Sequence, residues 1–189
     1  TLAKLTDTLL DPIGYYYFTR GRILGAEALI ARTGYTGEDG FEIYIPPREG
    51  PRIWKEILSA GADVGIVPCG LGARNTLRLE AAMSLYGHEI DDKTTPYEAR
   101  LGWIVKLEQG DFIGRDVLAA QKKRGVERRL AGFVMLGRGI ARDGYRVFIE
   151  GSDVGWVTSG SPAPFLGKNI GLCMLPSAMV QVGREVEVA

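Results

Sequence analysis

Long apolar runs, paired thiols and net charge are all missing from this chain, and histidine nearly so. The two cysteines, Cys69 and Cys173, lie far apart and form no CxxC, which disfavours a disulfide framework and a zinc site and makes reduced thiols in a cytosol-like compartment the default. No metal is expected. The single histidine, His88, leaves one possible base for any Ser/His/Asp or Cys/His pair. Its setting, Tyr86-Gly87-His88-Glu89-Ile90, is neither a nucleophile elbow nor a metal-ligand cluster, so a structural role in a turn is the expectation. Cys69, after a proline, reads as a small buried hydrophobe. No run of about 18 apolar residues and no basic-then-apolar leader occurs, which leaves no membrane span or secretion signal to place. With 23 basic and 23 acidic residues the formal charge is zero, so no global field favours nucleic acid or an anionic membrane. The local cluster Lys122, Lys123, Arg124, Arg128 and Arg129 reads as a solvated face.

What is present is the composition of an ordinary globular chain, 46% hydrophobic and 24% charged over 189 residues, long enough for one or two domains with a sizeable core. Leu2, Leu5, Leu9 and Leu10 have helical spacing and predict a short helix ending before Asp11-Pro12. Tyr15 to Arg20 and Ile23 to Ala31 predict a hairpin around Gly21-Arg22, with the string Tyr15-Tyr16-Tyr17-Phe18 alternating between the two faces of a strand. A third strand is expected from Phe41 to Ile45, then a helix opened by Pro51 and carrying Ile53, Trp54, Ile57 and Leu58 before Gly61. Val64 to Val67 reads as a short buried strand. Residues 71 to 83 form a strong helix candidate with Leu71, Leu77 and Ala81 available to face inward. This mixture suggests an α+β sheet with helices on one face.

The second part differs. Thr94, Thr95 and Pro96 signal a short helical segment, Trp103 to Leu107 a strand, and Arg115 to Arg124 an amphipathic helix. Beyond Arg128 come only short strand candidates: Leu130 to Leu136, Tyr145 to Glu150, Val154 to Ser159, Ile170 to Leu175 and Glu185 to Val188. That spacing suits a small barrel or sandwich, behind a soft boundary near residue 126.

The chemically richest stretch is Arg32 to Ile45, RTGYTGEDGFEIYI, a turn punctuated by Gly34, Gly37 and Gly40 that carries Glu38, Asp39 and Glu42. The glycines suit a sharply folded backbone or a closely approaching ligand. The carboxylates argue against phosphate, and no GxxxxGK[ST] string occurs. The expected ligand is neutral, cationic or rich in N–H donors. Glu38 and Asp39 are expected mainly to hold the turn.

RTGYTGEDGFEI from Arg32, GARNTLRLEAAMSLYGHEIDDKTTPYEARLGWIVK from Gly72 and VGWVTSGSPAPFLGKNIGLCML from Val154 together resemble the successive signatures of the glycine cleavage system T-protein family. The resemblance covers essentially the whole chain. It implies a folate-dependent aminomethyltransferase that takes the aminomethyl group from the lipoyl arm of H-protein, releases ammonia and forms 5,10-methylenetetrahydrofolate from tetrahydrofolate. By resemblance Glu42 contacts folate, Tyr35 lines the same pocket and Arg74 is the folate-contacting arginine. A reduced pterin presents adjacent N–H donors that match one carboxylate. Arg78, one helical turn beyond Arg74, extends the same basic wall or forms a salt bridge. Trp103 belongs to the pocket edge or the core.

The resemblance further implies a partial ferredoxin-like α/β domain followed by a C-terminal antiparallel β-barrel. Residues 1–125 would be the folate-binding α+β region, with 11–83 completing the middle domain and 84–125 returning to the first, and 126–189 the barrel. The aspartate central to the family's chemistry lies well upstream of the RTGYTGE-like turn, and Asp7 and Asp11 match no such motif. The chain is therefore expected to lack the catalytic aspartate, to hold an incomplete barrel and to need either the missing N-terminal portion or self-association. The partner implied is lipoylated H-protein; the location is cytoplasmic in a bacterium and the mitochondrial matrix in a eukaryote. The competing readings are a non-catalytic folate-binding or assembly module, and the folate domain of a dimethylglycine or sarcosine dehydrogenase-like enzyme.

Overall fold

Leu24 and Gly25 both adopt left-handed backbone, with φ of 49° and 81°, and this two-residue turn sets the first sheet. Left-handed residues at both central positions match the right-handed twist of the flanking strands. The computed structural model describes residues 1–189 and divides into two packed units, Thr1–Asn75 and Thr76–Ala189. The division falls inside a helix, whereas residue 126 lies in the connection before the first strand of the second sheet.

In the first unit β1 (Phe18–Ile23) and β2 (Ala26–Ala31) pair antiparallel from Phe18↔Ala31 to Ile23↔Ala26, and β3 (Glu42–Tyr44) joins β2 with Leu29↔Tyr44 and Ala31↔Glu42. The hairpin turns later than the expected Gly21-Arg22. Gly21 sits inside β1, where an added Cβ would lie 2.1 Å from the Thr8 hydroxyl, so this glycine serves close packing rather than a turn. Helix α1 (Gly50–Ala60) forms where Pro51 predicted it and sends Ile53 into the core with Leu5, Ile13, Ile23, Ala28 and Ile30. One face of the sheet is thereby covered. The opposite face carries Phe18, Arg20, Arg22, Glu42 and Tyr44, all exposed, since side chains alternate along a strand.

Four further local expectations fail in this unit. The N-terminal helix is one 3-10 turn, Leu2–Leu5, and Leu9 is 77% exposed. The Thr6 hydroxyl donates to the Arg22 carbonyl of β1 at 2.5 Å, a long-range tie, and accepts from the Thr8 N–H at 3.1 Å, a local bond that competes with a helix. The aromatic string does not alternate across a strand: Tyr16 has φ of 67°, the strand begins only at Phe18, and all four rings are exposed. Val64 to Val67 is not a buried strand, because a 3-10 turn spans Ala62–Val64 and both valines are about two-thirds exposed. Cys69 is exposed, not buried.

Helix α2 (Leu71–Glu80) ends three residues before its predicted limit, with Ala82 left-handed at φ 55°. Its inward side chains are Arg78 and Leu79 rather than Leu71, which is 83% exposed. In the second unit Thr95 and Glu98 bond reciprocally in a capping box, but the segment closes as a turn instead of continuing as a helix. Trp103 to Leu107 is not a strand; Gly102–Ile104 is a 3-10 turn. Helix α3 (Arg115–Arg124) forms as predicted.

All five predicted C-terminal strands form: β4 (Arg128–Val134), β5 (Arg146–Ile149), β6 (Ser152–Ala163), β7 (Lys168–Pro176) and β8 (Glu187–Val188). They make one antiparallel sheet in the order β4-β7-β6-β5-β8. Val147, Val157, Cys173 and Leu175 pack together with Ala141, while Leu130, Leu172 and Met174 pack with Leu79. The fold class is therefore α+β with a C-terminal barrel-like sheet.

Candidate functional site

The glycine-punctuated turn is closed by an ion pair. Arg32 donates through Nε and Nη2 to the two carboxylate oxygens of Asp39 at 2.8 and 2.7 Å, and through Nη1 to the Ile13 carbonyl at 3.2 Å. This fork holds the Asp39 carboxyl below the usual carboxylate range and raises the Arg32 guanidinium. The Phe41 ring lies 5.5 Å from the Arg32 guanidinium carbon. Asp39 thus holds the turn as expected of it.

With the turn fixed, sheet register does the rest. Pairing of Ala31 with Glu42 places Glu42 on the uncovered face, and the Thr33 hydroxyl donates a hydrogen bond to its Oε2. Oε1 remains open on an exposed side chain. The Arg32 N–H and C=O bond to Tyr17 and Tyr16, which brings the aromatic string alongside the turn. The guanidinium of Arg74, from α2, lies 4.4 Å over the Tyr35 ring, a cation–π geometry that orients its fork. A cleft of about 880 Å³ on the same sheet face is lined by Arg20, Arg22, Leu29 and Tyr44 among others, and none of Glu42, Tyr35 or Arg74 belongs to its wall.

Arg78 does not present an open basic wall. It is 1% exposed, and its Nη1 donates to Glu89 at 2.9 Å and to the Met83 carbonyl at 3.2 Å, while Nη2 donates to the Ser159 hydroxyl at 2.9 Å. The salt-bridge alternative is the one observed. Trp103 is 60% exposed on its 3-10 turn, which excludes a core position. His88 bonds through Nδ1 to the Thr158 carbonyl at 3.1 Å and to Asp143 at 2.8 Å. Both partners accept, so Nδ1 carries the proton and the ring ties its turn to β6.

Two residues of the turn escaped the sequence reading, Arg32 and Thr33. An opposite charge at each end of a glycine-rich turn was the available signal for Arg32 with Asp39. For Thr33 nothing local signals the bond, because it depends on the β2–β3 register.

Family models described as "GCVT N-terminal domain" and "Glycine cleavage T-protein C-terminal barrel domain" match residues 1–109 and 128–189. An aminomethyltransferase of Moorella thermoacetica is 52% identical over 188 residues, covering 100% of this chain and 51% of its own length. That of Acidobacterium capsulatum is 55% identical over 193 residues, again covering 100% of this chain and 51% of its own length. The crystal structure of glycine cleavage system aminomethyltransferase T from Bartonella henselae superposes with a TM-score of 0.86 at 31% identity, covering 94% of this chain and 49% of that one. The chain spans about half the length of the relatives it matches. Two family models in sequence order, one of them matching more than half of the residues, establish that this chain belongs to the glycine cleavage T-protein family.

Proposed function

We propose that this chain supplies the folate-holding part of an aminomethyltransferase of the glycine cleavage system. In the proposed reaction the aminomethyl group on the lipoyl sulfur of H-protein passes to tetrahydrofolate, yielding 5,10-methylenetetrahydrofolate, ammonia and the dihydrolipoyl H-protein. The observation that carries this reading is the Glu42 carboxylate, held at one oxygen by Thr33 and open at the other on an uncovered sheet face. An open carboxylate accepts from adjacent N–H donors, the pattern on the edge of a reduced pterin.

Tetrahydrofolate, when bound, supplies the two nitrogens that receive the one-carbon unit. The chain's own residues bind and orient. Glu42 fixes the heterocycle through its donor edge, Tyr35 offers a ring face, and Arg74 directs a fork at a carbonyl or carboxylate. The Arg32–Asp39 pair keeps the turn in shape for all three. Trp103, exposed, is retained as a candidate contact, and Arg78 is assigned to internal structure. No residue here is given the proton-transfer role. In a bacterial cell this reading goes with a cytoplasmic location and with lipoylated H-protein as partner.

Calorimetric titration with 5-formyltetrahydrofolate tests the reading. Saturable one-to-one binding, weakened by both Glu42→Ala and Arg74→Ala, is the expected result. Absence of binding by a folded sample, or binding that neither substitution alters, overturns the assignment of these residues.

A further inference from the structure

The chain leaving β4 and the tip of the β6–β7 hairpin flank a cleft of about 600 Å³ that the folate reading does not use. Its two walls are fastened to each other. The Met135 N–H donates to the Asn169 carbonyl at 2.9 Å, and the Asn169 side-chain amide donates to the carbonyls of Arg138 at 3.1 Å and Gly139 at 2.9 Å. On the hairpin side the ladder ends in the pairs Pro162↔Asn169 and Ala163↔Lys168, and the chain reverses through Pro164 and Gly167, which is left-handed at φ 63°. Two prolines and a side-chain clamp leave these walls little conformational freedom to lose when a ligand binds.

Arg138 and Lys168 are the only charged residues lining the cleft, one on each wall, and both are exposed. Neither side chain donates a hydrogen bond or joins an ion pair within the chain. The arginines that fasten this unit are different, since Arg78, Arg128 and Arg146 are each closed by a carboxylate. The charge of Arg138 and Lys168 is therefore available to a ligand.

Around these two cations the lining is apolar, with Met135, Pro162, Ala163 and Pro164. Beyond it the hairpin tip presents Phe165, 89% exposed, and Leu166. The Phe165 N–H donates to the Glu80 carboxylate at 3.1 Å, so the backbone of the tip is held while the ring stands in solvent. An exposed aromatic on a fixed backbone beside an apolar cleft has the make-up of an interface anchor. It also carries the apolar surface past the cleft, further than a small carboxylic acid reaches.

We propose that this cleft and the hairpin tip dock an acidic segment of a partner protein. Carboxylates of that segment pair with Arg138 and Lys168, an apolar side chain enters between them, and a second packs on Phe165. Arg138 offers a planar fork that matches a carboxylate, and Lys168 a point charge. A basic segment meets like charge from both walls with no acid to offset it, which sets the sign of the partner. This inference is independent of the folate reading, since every residue it uses lies in the second unit.

The test uses the whole chain and an eight-residue capped peptide alternating leucine with glutamate. Fluorescence anisotropy is expected to give saturable one-to-one binding that weakens as salt is raised. Phe165→Ser, and separately the pair Arg138→Gln with Lys168→Gln, should each weaken it roughly tenfold with the thermal midpoint unchanged, because all three side chains are exposed. Charge reversal is the sharper arm. Arg138→Glu with Lys168→Glu should release the acidic peptide and bind one carrying lysine in place of glutamate, an exchange that a merely structural role would not produce. The proposal is overturned by absence of saturable binding, by equal binding of the basic peptide to the unaltered chain, or by unchanged preference after the reversal. Octanoate binding as tightly as the peptide also overturns it, by giving the cleft to a free aliphatic carboxylate.

Discussion

Thr33 donates its hydroxyl to the Glu42 carboxylate across the mouth of the acidic turn, so the carboxylate meets a ligand in a fixed orientation. Removing that hydroxyl with Thr33→Val keeps the β-branched shape but frees Glu42 to rotate. One such hydrogen bond contributes about 0.5–1.5 kcal/mol, which converts to roughly 2- to 10-fold in affinity. Titration with 5-formyltetrahydrofolate should show that loss, with the circular dichroism spectrum unchanged. An unaltered affinity means that Glu42 does not contact the ligand.

Arg78 and Glu89 form an ion pair with side chains 2% and 0% exposed. Glu89 also accepts from the Leu85 N–H at 2.9 Å, so the pair fastens the end of α2, the following turn and β6 through Ser159. Arg78→Met leaves a buried carboxylate without its countercharge and should cost about 3–5 kcal/mol in urea unfolding. The double substitution Arg78→Met with Glu89→Leu should recover most of it, because two well-packed apolar side chains carry no unpaired charge. A double variant as unstable as the single one refutes that account.

The contrast between Arg74 and Arg78 also marks how far sequence reasoning reached. Both lie on one helix, one turn apart, and local periodicity assigned them the same wall. Only long-range partners separate them: Glu89 and Ser159 for Arg78, Tyr35 for Arg74. Elements encoded by strong local signals were legible, such as α1 behind Pro51 and the five barrel strands between turn residues. The N-terminal helix failed because the Thr6 hydroxyl bonds the Arg22 carbonyl and takes the Thr8 N–H, and the hairpin shifted because Gly21 answers to Thr8 across space. At the candidate site the motif singles out Glu42 as a proposed contact, whereas its bond to Thr33 depends on the register of β3.

Cys69 is exposed and Cys173 is buried, with burial pushing the Cys173 thiol up to about 12. The thiolate is the reactive form, so the two should separate cleanly. Titration of the native chain at pH 8 with a disulfide-exchange reagent should consume one thiol rapidly. The second should react only in denaturant. Rapid reaction of both in the native chain excludes the packed position of Cys173 between Val157 and Ala131.

Asp39 provides a pH test with a defined sign. Its folded pKa lies below its unfolded value because Arg32 stabilises the ionised form. Folding is therefore favoured above the unfolded carboxylate range, about pH 4, and that contribution is lost as pH falls through the lower folded value. Thermal midpoints measured from pH 7 down to pH 2 should decline for the native sequence. Asp39→Asn keeps the size but not the charge, so its midpoint should start lower at pH 7 and decline less steeply. A parallel decline in both would mean that the pair with Arg32 is not populated in solution.

Arg74 and Tyr35 offer a test of the cation–π contact that needs no ligand. At exposed positions such a contact contributes about 0.5–1 kcal/mol. A double-mutant cycle with Tyr35→Leu and Arg74→Met should yield a coupling of that size in unfolding free energy, while Tyr35→Phe, which keeps the ring, should preserve it. The same four proteins then discriminate positioning from packing in folate titration. If the stack serves to aim the guanidinium, Tyr35→Leu and Arg74→Met weaken binding non-additively, and the double variant binds no worse than Arg74→Met alone. Additive losses would instead mean that the ring and the guanidinium contact the ligand separately, which would remove the positioning role argued for Tyr35.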